Sequence, residues 1–471
     1  MSDTTFDFVI AANRLPVDRK VDDEGNESWE RSPGGLVTAM ESVMRGREGA
    51  AWIGWAGDTD SEPNPFEDDG MYLVPLGLTQ DEYVNYYEGF SNDTLWPLYH
   101  DVIVPATFRR RWRSAYDRVN ERFAQRIADV ASQGATVWVH DYQLQLVPAL
   151  LRELRPDVRI GWFDHIPFPP VELFMQLPGR EEILRGLLGA DFLGFQRGGD
   201  AQNFLRACDR LLDVRVEGDL VQHGEGQTTR AAAVPISVDS AALRELALSD
   251  SVQERAKQIR VDLGNPKKLL IGVDRLDYTK GIRHRLKAYS ELLNDGSIDP
   301  AEVTLVQVAT PSRERLEAYR TLRGQVEQVV GRINGEHSPI GSPAVTYIHR
   351  SFDREEMVAL LVAADVALVT PLRDGMNLVA KEYVMCGPDD GALVLSEFTG
   401  AAIELGEGSF PCNPHDIRNL KRTILEALGA SREELEPRMR HLREVVLAAD
   451  VQHWAADFLA ALQAAPERPG P

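Results

Sequence analysis

Thr370-Pro-Leu-Arg-Asp-Gly-Met-Asn-Leu-Val-Ala-Lys-Glu-Tyr383 is the stretch that decides the fold of this chain. The apolar run Ala364-Asp-Val-Ala-Leu-Val-Thr370 before it reads as a buried parallel strand, and Leu378-Val-Ala-Lys-Glu-Tyr-Val384 reads as a helix. Asp374-Gly375-Met376-Asn377 is then a strand-to-helix turn. Its backbone N–H groups and the positive end of the helix dipole suit a phosphate or a sugar hydroxyl. Glu382 lies four residues after Leu378, on the same helix face. A carboxylate there can take the paired hydroxyls of a ribose whose diphosphate sits at the helix tip. The bland alternative is an ordinary α/β loop with a solvated Glu.

A second element of the same kind weighs against that alternative. Lys267-Lys-Leu-Leu-Ile-Gly-Val-Asp274 reads as a strand ending in Arg275-Leu-Asp-Tyr-Thr-Lys-Gly281. Arg275 and Lys280 bracket a turn at the carboxyl end of a parallel strand, where open α/β sheets place ligands. Arg offers a planar fork and Lys a mobile point charge, so together they can clamp a diphosphate.

Further apolar runs alternate with helical patterns along the chain: 7–12, 136–140, 159–163, 192–195, 303–308 and 392–395. That alternation implies βαβ units and parallel sheets, an α/β fold. At 471 residues there is length for two cores, and Ala233-Val-Pro-Ile-Ser-Val-Asp239 is the expected boundary. Asp239 or Ser240 can cap the helix that follows. The expected domains are residues 1–235 and 236–450, with a final helix at about 451–464 and a disordered tail from Pro466.

A formal net charge of −22 argues against a nucleic-acid partner. If the substrates are phosphorylated, an acidic chain must gather its cations locally, and Arg14, Arg275, Lys280 and Arg313 all fall where strands end. The run Phe108-Arg-Arg-Arg-Trp-Arg113, the exception, reads as a solvated helix face. No stretch is apolar enough to span a bilayer and the N-terminus lacks a signal pattern, so no membrane and a cytoplasmic location are expected. Three scattered cysteines, Cys208, Cys386 and Cys412, fit reduced structural thiols. No His/Cys/carboxylate cluster has metal-ligand spacing.

Through these elements and others along its length, the chain resembles the trehalose-6-phosphate synthase family of retaining GT-B glucosyltransferases. The matches run from Ala12-Asn-Arg-Leu-Pro16 and Ser32-Pro-Gly-Gly35 through Phe90-Ser-Asn92, Leu95-Trp-Pro97, His140-Asp-Tyr142 and His165-Ile-Pro-Phe-Pro169. They continue with Gly194-Phe-Gln196, Arg275–Gly281, Pro311-Ser-Arg313 and Arg373–Asn377. The resemblance implies two Rossmann-like domains facing across a cleft and transfer of glucosyl from a nucleoside-diphosphate glucose to glucose 6-phosphate. It implies catalytic roles for Arg275, Lys280, Asp374 and His165. Donor binding falls to Gly35, Arg275, Lys280, Asp374, Gly375, Met376, Asn377, Leu378 and Glu382. Acceptor binding falls to Arg14, Tyr87, Trp96, Asp141 and Arg313.

Arg14 is a strand-end Arg with no obvious carboxylate partner in the sequence. Most aromatics from Tyr83 to Tyr99 read as core; resemblance alone singles out Tyr87 and Trp96. The final helix is expected to cross back onto the first domain. No cofactor and no metal are expected, and a homo-oligomer, dimer or tetramer, is implied. Rival readings are a transferase with another acceptor, a pseudo-glycosyltransferase, and a non-catalytic pathway scaffold. No phosphatase module is expected, and Asp58-Thr-Asp60 reads as a loop. The donor's base, sought around His349-Arg-Ser-Phe352, stays open, as do regulation and the role of the basic run.

Overall fold

The computed structural model describes residues 5–21, 24, 26–32, 35–44, 47, 49–224 and 226–466. The chain divides into two compact units, residues 1–236 with 452–471, and residues 237–451. Each is a parallel α/β sheet, the composition of the GT-B fold.

In the first unit, seven parallel strands run in the order Gln227–Ala233, Phe192–Phe195, Arg159–Phe163, Ala131–His140, Phe6–Arg14, Ala50–Trp55, Met71–Pro75. Antiparallel strands finish both edges. The central strands are buried almost end to end, as expected where helices cover both faces. The chain lays down Phe6–Arg14 first, builds outward on one side, then returns to place Ala131–His140 on the other. This is the topological switch point, and the carboxyl ends flanking it carry Arg14 and Asp141.

The last helix, Val451–Gln463, packs its residues from Gln452 onward on this sheet. Phe458 stacks on Trp138 at 4.3 Å and Trp454 lies 5.0 Å from the same ring. The Arg159 guanidinium donates to the Leu462 carbonyl oxygen at 2.8 and 3.0 Å. Gly161 and Gly194 make the docking possible, because a Cβ at either would come within 2.8 Å of the Phe458 ring.

The second unit holds six parallel strands in the order Val345–Ile348, Val303–Thr310, Lys268–Arg275, Val366–Val369, Ala392–Ser396, Phe410–Cys412. Its switch point lies between Lys268–Arg275 and Val366–Val369. The two phosphate-type turns read from the sequence leave from these strands. Asp239 caps Ser240–Leu248, accepting from the Ala242 N–H at 3.0 Å.

Several features differ from expectation. The strands Ala50–Trp55 and Met71–Pro75, and the hairpin Val17–Val21/Glu27–Arg31, have no counterpart in the sequence reading. The aromatic stretch forms a π-helix, Tyr83–Leu95, followed by the helical turn Trp96–Tyr99, with Tyr86, Phe90, Trp96 and Tyr99 buried. The basic run opens the helix Arg110–Val130. Arg113 there is tied to Asp117 at 2.7 Å and to the Gly179 carbonyl, while Arg110 and Arg111 are exposed. Pro33, Gly34 and the tail 467–471 lie outside the described residues. Among the described residues no single helix is long and apolar enough to cross a membrane, and the three cysteines are buried and unbridged.

Candidate active site

In the second unit the two strand-end turns are fastened to each other. The Leu372 N–H donates to the Thr279 carbonyl at 2.7 Å. Gly281 has φ +68°, and a Cβ there would lie 2.0 Å from the Thr370 carbonyl oxygen, so only glycine lets the turns close this far. Across the seam, the Lys280 ammonium donates to Asp374 Oδ2 at 2.6 Å, both side chains being mostly buried. Asn377 donates its Nδ2–H to the same oxygen at 3.1 Å. Its Oδ1 caps the helix Leu378–Cys386 by accepting from the Ala380 N–H. One hydrogen-bonded set thus joins the cation, the acid and the helix N-terminus. Lys280 keeps further N–H donors for a ligand. Gly375 and Met376 are buried in the turn, Leu378 is half-buried, and Arg275 is exposed at its strand end.

A layer of buried ion pairs lies behind this surface. Arg285, wholly buried, donates to Asp274 at 2.6 Å, to Gln307 at 2.7 Å and to the Thr370 hydroxyl at 3.1 Å. It therefore ties together the ends of the strands that carry Arg275 and the 370–377 turn. Arg313 pairs with buried Asp277 at 2.9 Å, and Tyr319 bonds both. Burial alone would raise the Asp277 carboxyl. Arg313 and Arg275, then the Thr279 N–H and Lys280, instead hold it down at about 2. Arg313 was expected at a strand end reaching an acceptor phosphate; here its side chain is 4% exposed and engaged with Asp277. Glu382 is half-buried. Burial pushes its carboxyl up, partly offset by Arg354, so the ionised form assumed from the sequence is held less firmly than on a surface.

In the first unit, Arg14 corrects the sequence reading. Asp18, four residues on, accepts from its guanidinium at 2.5 Å, and the Ser32 hydroxyl donates to the same Asp18 oxygen. The partner was missed because it sits on the unrecognised hairpin. The Arg14 guanidinium lies 5.0 Å over the Trp55 ring, and Tyr87 lies 6.1 Å from the same ring, so these two acceptor candidates are brought together. Trp96 is buried against His100 and Tyr142. Gly35, expected in a loop, is the first residue of the helix Gly35–Met44; its partner Gly34 lies outside the described residues.

Asp141 and His165 meet at the ends of neighbouring strands. Asp141 Oδ1 accepts from the His165 backbone N–H at 3.3 Å. The Asp141 backbone has φ 77°, ψ 168°, a region nearly reserved for glycine, and Arg313 and Asn377 also have positive φ. Such strain in non-glycine residues collects at ligand sites. Behind His165 stands His140, wholly buried, with Nδ1 3.0 Å from His165 Nε2. Burial pushes His165 down to about 3. It pushes His140 well below the usual imidazole range, with His165 adding to the effect. Buried Asp164 next to them is pushed well above the carboxylate range, by burial first and then by Asp141.

The sequence reading missed His140, Asp164, Asp18 and Arg285. For Arg285 a signal existed: it shares the apolar helical stripe Ile282, Leu286, Tyr289, Leu293, an anomalous place for an Arg. Among the described residues no group of three or more His, Cys, Asp or Glu is placed to hold a metal ion.

Residues 7–464 match glycosyltransferase family 20. A trehalose-6-phosphate synthase from Mycobacterium sp. (strain JLS) is 56% identical over 465 residues, covering 97% of this chain and 96% of the relative. The enzyme of the same name from Mycobacterium avium (strain 104) is 55% identical over 98% of this chain and 96% of its own length. Among solved structures, a UDP-forming α,α-trehalose-phosphate synthase from Burkholderia xenovorans in complex with glucose 6-phosphate superposes with a TM-score of 0.88. It is 33% identical over 97% of this chain and 100% of that one. An E. coli protein of the same kind bound to UDP-2-fluoro glucose gives 0.89 at 31% identity, over 98% and 100% of the two chains.

Proposed function

The chain belongs to glycosyltransferase family 20, and from that premise we propose that it makes α,α-trehalose 6-phosphate. It transfers glucosyl with retention from a nucleoside-diphosphate glucose to the anomeric hydroxyl of glucose 6-phosphate and releases the nucleoside diphosphate. The observation that carries this reading is the joined set at the second unit's switch point, Lys280, Asp374, Asn377 and a helix N-terminus, with Arg275 at the neighbouring strand end. Two cations and a row of backbone N–H groups fit a diphosphate, and the acid among them fits a sugar hydroxyl.

Transfer with retention by two displacements needs a carboxylate nucleophile under the sugar. Asp141 and Asp374 are both engaged in hydrogen bonds that orient them as hydroxyl acceptors. The mechanism supported here is a front-face transfer. As the anomeric C–O bond to the diphosphate breaks, Arg275 and Lys280 stabilise the charge growing on the leaving oxygen. That oxygen takes the proton of the incoming hydroxyl, and the new glycosidic bond forms on the same face. Catalysis is then positioning and electrostatics, with no metal and no cofactor required. Glu382 takes the ribose hydroxyls, Arg14, Tyr87 and Trp96 hold glucose 6-phosphate with Asp141 accepting from sugar hydroxyls, and His165 lies by the transferred glucose. The same reading includes a homo-oligomer, which sedimentation would count.

The test is turnover with UDP-, GDP- and ADP-glucose side by side, following trehalose 6-phosphate and the freed nucleotide, with and without EDTA. Product in the presence of EDTA supports the proposal, and the best donor identifies the base. Binding without product from any donor would leave a scaffold, and an absolute need for a divalent cation would remove the two-cation argument.

A further inference from the structure

The bond between His140 and His165 has a direction, and that direction decides what His165 offers a ligand. The contact joins His140 Nδ1 to His165 Nε2 at 3.0 Å. Two neutral rings share one proton there, so only two arrangements exist. In one, His140 donates from Nδ1; its Nε2 is then a bare lone pair and His165 carries its proton on Nδ1. In the other, His165 donates from Nε2; His140 then buries an N–H at Nε2 and His165 Nδ1 becomes an acceptor. His140 Nε2 has no hydrogen-bond partner, and the ring lies among Trp138, Phe163 and Trp454. Two neighbours in that cluster, Trp138 and Trp454, also hold indole N–H groups with no partner. The cluster is therefore oversupplied with donors. A further buried N–H is the costlier choice, since unpaired buried donors are rarer than under-used acceptors. Burial keeps both rings neutral, as the argument requires.

We propose that His140 is a positioning residue that donates its Nδ1–H to His165 Nε2. It thereby fixes His165 as the Nδ1–H tautomer, a hydrogen-bond donor rather than an acceptor toward a sugar oxygen. Asp141, which accepts from the His165 backbone N–H, supplies the complementary acceptor. A donor and an acceptor fixed side by side recognise a sugar hydroxyl, which offers both functions. The role of the tautomer in turnover rests on the function proposed above; the tautomer itself does not.

The test has two arms on the full chain. The first is ¹⁵N NMR of histidine-labelled protein, with His140→Asn and His165→Asn used for assignment. The expected result is a pyrrole-type, proton-bearing Nδ1 and a pyridine-type Nε2 on His165. The reverse pattern overturns the proposal whatever the enzyme turns over. The second arm compares His140→Asn with His140→Phe. Asn keeps an N–H donor near the position of Nδ1, whereas Phe fills the apolar pocket without one. A structural role predicts that Phe is the better replacement in both stability and turnover. The proposal predicts a crossover: Phe folds at least as stably, yet kcat is about tenfold lower than in Asn, the size of one lost net hydrogen bond. Equal kcat in the two variants overturns it. Absence of turnover in the unsubstituted chain would instead sink the functional reading and leave the NMR result standing.

Discussion

The two switch points handle buried ionisable groups in opposite ways. At the second unit's switch point three buried acids each have a cation: Asp274 with Arg285, Asp277 with Arg313, Asp374 with Lys280. The Asp277 carboxyl is accordingly held at about 2. In the first unit, His140, His165 and Asp164 are desolvated too but meet no opposite charge among the described residues, so all three are pushed toward their neutral forms. Desolvation is common to both, and the partner decides the sign. A charged layer suits a diphosphate whose charge grows as it leaves, and a neutral hydrogen-bonding layer suits sugar hydroxyls.

The sharpest way to break the comparison is to leave a buried charge alone. Arg285→Leu strands Asp274 and should cost about 3–5 kcal/mol of stability in denaturant titration. His140→Phe, which removes one neutral bond, should cost only about 0.5–1.5 kcal/mol. Equal losses would mean that the charged layer is not special.

Next in size is catalysis. Arg275→Ala and Lys280→Ala should each lower turnover by an equivalent of about 2–4 kcal/mol while acceptor binding changes little, because the charge they stabilise develops in the transition state. Normal turnover in either would remove the clamp.

A smaller effect separates acceptor from donor contacts. Arg14→Ala should raise the KM for glucose 6-phosphate by a factor equivalent to roughly 1.5–3 kcal/mol, the worth of a charged phosphate contact. Glu382→Gln should weaken nucleoside diphosphate binding measured without acceptor. Arg313 sharpens the point, since its pairing with buried Asp277 means that Arg313→Ala should destabilise the fold, whereas substitution of partly exposed Arg14 should not.

The pH dependence reads the neutral layer directly. Unfolded histidines bind a proton near pH 6.5, but His165 in the fold does so only at about 3, and His140 is depressed too. Between these values the unfolded chain holds more protons. Their stabilisation is therefore complete above about pH 6.5 and is lost as pH falls, by up to ~1.4 kcal/mol per unit for each ring. Asp164 has the opposite sign: its folded carboxyl keeps a proton that the unfolded one releases near 3.9, so stability falls as pH rises above that value. Two groups against one leave a net rise with pH from about 4 to 6.5. Urea midpoints across that range should show it, with a shallower limb in His140→Asn.

Much of this was legible in the chain itself. Apolar runs marked the central strands, and a turn at each strand end drew attention to Arg14, Asp141, Arg275 and Asp374. What escaped depended on neighbours distant in sequence or on irregular backbone. His140 meets His165 only because their strands pair in parallel register, His140 opposite Phe163. Asp18 reaches Arg14 from a mostly polar hairpin without strand-like alternation. The π-helix has a period that a search for helical spacing does not match. Arg285 was visible as a charge on an apolar stripe, but its partners Asp274 and Gln307 are defined only once the sheet is assembled.

The most direct test is calorimetric titration of the nucleoside diphosphate alone into Lys280→Ala and His165→Asn. With the diphosphate recognised at the second unit's switch point, Lys280→Ala should bind the nucleotide more weakly, while His165→Asn binds it as the unsubstituted chain does. Nucleotide binding lost in His165→Asn and kept in Lys280→Ala would contradict the account.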